Sequence, residues 1–187
     1  MSEVAPAPAP APAPLILIGM MGSGKSTVGR YLARLAGLEF IDCDRELESR
    51  SGATINTIFE LEGEAGFRKR EAALLDELTQ RRGLVLATGG GAVLLEQNRE
   101  SLRARGLVIY LETSLDELRR RLRHDKSRPL LQGVDVETRV AELLATRGPL
   151  YRSCAHLSFA SGAANPKKMA QKILAAQVVA DHLAQRV

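Results

Sequence analysis

From Leu15 onward, short apolar runs alternate with stretches in which apolar residues recur every three or four positions. The runs predict strands at Leu15–Ile18, Glu39–Ile41, Leu84–Ala87, Leu107–Leu111 and His156–Ala160. The periodic stretches predict helices at Lys25–Ala36, Asp44–Ser51, Ile55–Leu61, Glu64–Arg81, Glu96–Arg105 and Leu115–Arg123. Two more are expected at Val136–Thr146 and Pro166–Arg186. Ser114 with Glu117 forms a capping box, Thr54 precedes a helix it can cap, and Gly83 and Gly106 follow helix ends. Strand–helix alternation of this kind predicts an α/β fold with a parallel sheet covered on both faces. Leu84-Val85-Leu86-Ala87 has no polar alternation, the mark of a central strand buried on both sides. Residues 5–14 instead alternate Ala and Pro, which removes N–H donors and favours an extended chain. Residues 1–14 are therefore expected to be a disordered extension, and residues 15–187 a single domain.

Length and composition agree with one soluble core: 187 residues, 45% hydrophobic and 26% charged. No apolar run approaches the roughly 20 residues that span a bilayer, and no basic start precedes an apolar segment. The two cysteines, Cys43 and Cys154, offer neither a disulfide framework nor zinc-ligand spacing. A cytoplasmic protein without a membrane partner is expected. Net charge is only +4, but Arg119, Arg120, Arg121, Arg123, Lys126 and Arg128 cluster. That cluster can meet nucleic acid or a polyphosphate. Scarce aromatics (4%, no Trp) argue against single-strand stacking platforms.

Between the first strand and first helix stands Gly19-Met20-Met21-Gly22-Ser23-Gly24-Lys25-Ser26-Thr27. Strand, glycine-rich loop and helix in that order are what the phosphate-binding G-x-x-x-x-G-K-[ST] loop requires. Its glycines let successive N–H groups converge on one anion, and the helix adds its positive end. Gly22, Ser23, Gly24, Lys25, Ser26 and Thr27 would then hold a nucleoside triphosphate. Lys25 would reach the β- and γ-phosphates, and Ser26 would help to hold Mg²⁺.

Other residues at strand ends add chemistry. Asp42 and Asp44 face one side if the second strand stays extended between them. One carboxylate could hold Mg²⁺ and the other orient or deprotonate an acceptor hydroxyl. The third strand carries no acidic residue in its run, so the metal role falls on Asp42. Its end, Thr88-Gly89-Gly90-Gly91, removes side chains where a ligand can lie on backbone. Arg68 begins a helix, and Arg147 precedes Gly148-Pro149-Leu150-Tyr151, read as a helix-ending turn. Each guanidinium can grip a carboxylate in two places, but neither is marked as functional alone. Cys43, between two aspartates, is read as a packing residue.

Taken together, these pieces resemble the shikimate kinase family. The resemblance runs from Leu15 to the last helix. It rests on Gly19–Thr27, Asp42-x-Asp44, Gly66-Phe67-Arg68, Thr88-Gly89-Gly90-Gly91, Arg128-Pro129-Leu130-Leu131, Arg147-Gly148-Pro149-Leu150-Tyr151 and Asn165-Pro166. It implies a three-layer P-loop kinase fold with a five-stranded parallel sheet in order 2-3-1-4-5. It further implies ATP-dependent phosphorylation of the 3-hydroxyl of shikimate, with Mg²⁺, by a monomer that has no nucleic-acid partner. Under that resemblance Asp44, Arg68, Gly89, Gly90, Gly91 and Arg147 would bind shikimate, the two arginines taking its carboxylate. Lys25, Asp44 and Arg128 would be catalytic, with Ser26 and Asp42 on the metal. Arg128 would close from a lid at about 123–135, and Arg121, Asn165 and Pro166 would flank the adenine. A gluconate-kinase-like enzyme and a regulatory, nucleic-acid-binding P-loop ATPase are the alternatives.

Overall fold

A computed structural model describes residues 11–123, 131, 135–162 and 165–185. Five parallel strands form one sheet: β1 (Leu15–Ile18), β2 (Glu39–Asp42), β3 (Leu84–Ala87), β4 (Leu107–Glu112) and β5 (Leu157–Ala160). Their spatial order is β2-β3-β1-β4-β5, as the resemblance implied. Ile16 stands opposite Leu86 on one side and Val108 on the other, so β1 is the centre. Every residue of β1 and β3 is buried, whereas the edge strand β5 alternates with exposed positions.

Strand alternation sorts the core into two halves. Ile16, Ile18, Leu84, Leu86, Val108 and Tyr110 face one layer of helices. That layer comprises α2 (Cys43–Ser51), α3 (Ile55–Leu78), α4 (Glu96–Arg105), α5 (Leu115–Leu122) and α6 (Val136–Cys154). Leu15, Leu17, Val85, Leu107, Ile109 and Leu111 face the other, built from α1 (Lys25–Ala36), α7 (Pro166–Leu174) and α8 (Gln177–Ala184). The chain leaves β1 for α1 where the sheet order reverses, between β3 and β4. In parallel α/β sheets this switch point opens the ligand crevice.

Several expected boundaries move, each for a physical reason. The helices expected at 55–61 and 64–81 form one element, yet Gly63 interrupts it with φ 68 and ψ −176. The turn expected at Gly148-Pro149 is absent, because α6 continues through Pro149 to Cys154. Proline there removes one donor for the carbonyl of Ala145, and both residues lie on the exposed side, where water can replace it. The single helix expected at 166–186 is broken at Ala175–Ala176 into α7 and α8. The capping box is half formed: Ser114 accepts from the Glu117 N–H, while the Glu117 carboxylate turns to Arg120 and Arg121. The boundary of the N-terminal extension also needs correction. Pro12 and Pro14 offer carbonyls to the N–H groups of Gly83 (2.7 Å) and Leu107 (3.0 Å), extending the sheet's hydrogen bonding below β3 and β4. Arg82 and His182 bond the carbonyls of Ala11 and Ala13, so residues 11–14 belong to the fold. Residues 1–10 lie outside the described residues.

Candidate active site

The crevice above β1 holds a cavity of about 1020 Å³, and most of the expected site residues line it. Its floor at one end is the loop between β1 and α1. Gly19, Gly22 and Gly24 take φ 144, 76 and 95, values that side-chain-bearing residues rarely adopt. The N-terminus of α1 has no side-chain cap and no acidic residue in its first turn. Its N–H donors thus face the cavity side as an anion site. Lys25 is 7% exposed and bonds the carbonyls of Gly19 (2.8 Å) and Met20 (2.9 Å). Ser23 Oγ is buried without a hydrogen-bond partner among the described residues. Ser26 and Thr27 line the same end. A triphosphate fits this cradle: uncapped donors, an orphaned hydroxyl and an ammonium supply what it needs.

Arg121 bridges the two walls beside this loop. It donates to the carbonyls of Gly22 (2.8 Å) and Gly162 (2.6 Å) and to the Glu117 carboxylate (2.6 Å). The paired arginines hold Glu117 at a pKa of about 2, Arg120 contributing most. This pairing also neutralises part of the basic run that sequence had left open to nucleic acid. Ser161 fastens the end of β5 to the loop through the Ser23 carbonyl (2.9 Å). Pro166 lines the cavity; Asn165 does not, and its side chain instead caps α7 through the Lys167 N–H. Arg128 and most of the expected lid lie outside the described residues.

The pair Asp42 and Asp44 is arranged differently from the extended geometry expected. The strand ends at Asp42, whose Oδ1 accepts from the N–H groups of Asp44 (3.2 Å) and Arg45 (3.4 Å) as the cap of α2. Asp44 therefore lies in the first turn of a helix. Both still line the cavity, as does Ser26 of the phosphate cradle. A carboxylate and a hydroxyl, both hard oxygen donors, suit Mg²⁺.

At the far end the glycine floor meets the two arginines. A Cβ on Gly91 would overlap the Arg68 guanidinium, and one on Gly89 would lie 2.5 Å from Glu71 Oε1 and 2.8 Å from Asp44 Oδ1. Side chains are excluded here because charged groups already crowd the backbone. Arg68 is 9% exposed, paired with Glu71 at 2.6 Å and Glu64 at 3.0 Å. Arg147 is 3% exposed, and its Nη1 has no hydrogen-bond partner among the described residues. Burial pulls the Arg147 pKa below its ordinary value, and the positive Arg68 lowers it further. A buried guanidinium with one orphaned nitrogen, beside a second arginine, is suited to an anion.

The model of the shikimate kinase family matches residues 21–177 of this chain. A shikimate kinase from Nitrosospira multiformis is 53% identical over 85% of this chain and 82% of its own length. One from Halorhodospira halophila is 53% identical over 87% of this chain and 92% of its own. The chain belongs to the shikimate kinase family. A solved shikimate kinase from Acinetobacter baumannii, in complex with shikimate, superposes with a TM-score of 0.87. It is 48% identical and covers 92% of this chain and 95% of its own. This member of the family is thus a P-loop kinase acting on a small molecule, and the gluconate-kinase and regulatory-ATPase alternatives are not favoured.

Sequence reasoning missed several residues of this shikimate kinase site. Glu71 is 2% exposed, with Oε1 unpartnered among the described residues. Burial pushes its carboxyl up, against the pull of Arg68. Its spacing three residues after Arg68 on one helix was the available signal. Phe59 and Phe67, rings 4.7 Å apart, also line the cavity, and no role was expected of either. Cys43 is buried as expected, with burial and then Asp44 raising its pKa, so the thiol stays protonated.

Proposed function

We propose that this shikimate kinase transfers the γ-phosphoryl group of ATP to the 3-hydroxyl of shikimate, with its two arginines holding the acid's carboxylate. The observation that carries this reading is the buried pair Arg68 and Arg147 against a glycine floor, in the same cavity as the phosphate loop. A carboxylate entering there satisfies the unpartnered Arg147 Nη1. Gly89–Gly91 and Asp44 then face the ring hydroxyls.

Ser26 and Asp42 would hold Mg²⁺, which would supply charge neutralisation for the triphosphate. The chain's own residues do the rest. Lys25 leaves the loop carbonyls it bonds and takes the phosphates, and the uncapped turn of α1 receives their oxygens. Asp44 accepts from the attacking hydroxyl and fixes its direction. Because phosphoryl transfer has a loose transition state, alignment matters more than full proton removal. Arg121 and Pro166 flank the adenine, and the charge of Arg128 would offset that developing on the transferring group. A monomer in the cytoplasm, without nucleic-acid or membrane partners, suffices for this chemistry.

A coupled assay of ADP release tests the proposal. With ATP and Mg²⁺, release is expected with shikimate and absent with gluconate or no acceptor, and withholding Mg²⁺ abolishes it. Release with gluconate but not with shikimate overturns the assignment.

A further inference from the structure

The mechanism leaves unused a buried tyrosine behind the glycine floor. Tyr151 is fully buried on α6, one helical turn after Arg147. Its hydroxyl donates a hydrogen bond to the Gly90 carbonyl. The same hydroxyl interacts with the Arg147 guanidinium, whose cationic form it favours. One oxygen therefore stands at both anion-binding parts: its proton goes to the floor, and Arg147 lies one turn away on the same helix face. Gly90 lies between the two: a Cβ there would stand 3.8 Å from Arg147 Nη1 and 3.1 Å from the backbone N of Met21.

The peptide plane extends this control. In a trans peptide the C=O and the following N–H point in opposite directions. Anchoring the Gly90 carbonyl on Tyr151 therefore turns the Gly91 N–H away from α6, and Gly91 lines the cavity. The ring itself cannot drift. It stacks on Tyr110 of β4, centroids 5.2 Å apart and planes 22° from parallel. The Tyr110 ring in turn lies 3.5 Å from where a Cβ of Gly19 would stand, at the start of the phosphate loop.

We propose that Tyr151 is a positioning residue for acceptor recognition: its hydroxyl sets Arg147 and the Gly90–Gly91 peptide in register for the substrate carboxylate. The inference rests on the shikimate reading of the site and deepens it. Tyr151→Phe keeps the ring and its stack and removes only the shared oxygen. In that variant the KM for shikimate rises at least fivefold, while kcat and the KM for ATP change less than twofold. The effect disappears in an Arg147→Ala background, because the hydroxyl acts through Arg147. A purely structural tyrosine lowers the melting temperature without separating the two KM values.

A measurement on the wild-type chain covers the case in which the variant does not fold. With ¹³Cζ-labelled tyrosine, only Tyr31, Tyr110 and Tyr151 give signals, and Tyr31→Phe and Tyr110→Phe assign them by subtraction. The Tyr151 signal is expected to shift when shikimate is added without nucleotide. An unchanged KM for shikimate in a folded Tyr151→Phe, or a Tyr151 signal indifferent to shikimate, overturns this inference alone. A wild-type enzyme inert toward shikimate overturns the substrate reading and this inference with it.

Discussion

Arg68 and Arg147 are charges in places where charge is costly, and their surroundings show why the cost is sustained. Arg68 is held by Glu64 and Glu71, whereas Arg147 has a nitrogen with no partner among the described residues. On the proposed reading, an incoming carboxylate completes the set. Truncating one member of a desolvated charge pair costs about 2–5 kcal/mol, most of it from stranding the other. Arg147→Ala is therefore expected to lower kcat/KM for shikimate by roughly 30- to 4,000-fold, at about 1.4 kcal/mol per tenfold. Steady-state kinetics check this, and the KM for ATP should barely move. At this scale the sequence was partly legible. Motif order brought out the arginines, Asp44 and the glycine triplet. Glu71 stayed hidden and Tyr151 stood in a motif without a role, because a buried glutamate and a buried tyrosine look like an ordinary surface acid and an ordinary core residue until their partners are seen.

Elements carry two further tests. Gly63 interrupts α3 at φ 68 and ψ −176, a region essentially closed to other residues, with nothing near its missing side chain. Gly63→Ala thus costs backbone strain alone, about 1–3 kcal/mol, measurable by urea unfolding. The second test lies where β4 meets the turn after α6. The Val108 N–H donates to His156 Nδ1 (2.9 Å), which requires that nitrogen to be unprotonated. Desolvation of the imidazole, then the charges of Arg103 and His182, lowers its pKa below the ordinary value. A histidine with a depressed folded-state pKa contributes stability that is complete above its unfolded value of about 6.5. That contribution is lost as pH falls through the folded value. The melting temperature should therefore drop from pH 7 to pH 5, and drop less in His156→Asn. Element boundaries were less legible than element types. The aspartate pair shows the reason: Asp42 has both a strand's alternation and a cap's chemistry, and only its bonds to the Asp44 and Arg45 N–H groups decide.

Across the whole molecule, the two apolar faces of β1 and the sheet reversal around it fix where the crevice must open. The strand order was implied by the family resemblance, and the parallel sheet with its phosphate loop followed from strand–helix alternation and one glycine-rich run. The attachment of residues 11–14 did not, because Ala-Pro alternation announces missing donors and says nothing of carbonyls. Pro12 and Pro14 act through those carbonyls on Gly83 and Leu107. Removing residues 1–14 should destabilise the chain relative to removing 1–10 by about 2–6 kcal/mol, at roughly 0.5–1.5 kcal/mol for each of the four lost bonds. Paired denaturation curves give the difference. The central claim concerns how the molecule joins its halves: arginines at one end of the cavity place one hydroxyl before the phosphate loop at the other. Phosphorus–proton correlation NMR of the product tests it most directly. Phosphate coupled to the proton on C3 of shikimate is the predicted result, and phosphate on another hydroxyl, or free phosphate in its place, would contradict it.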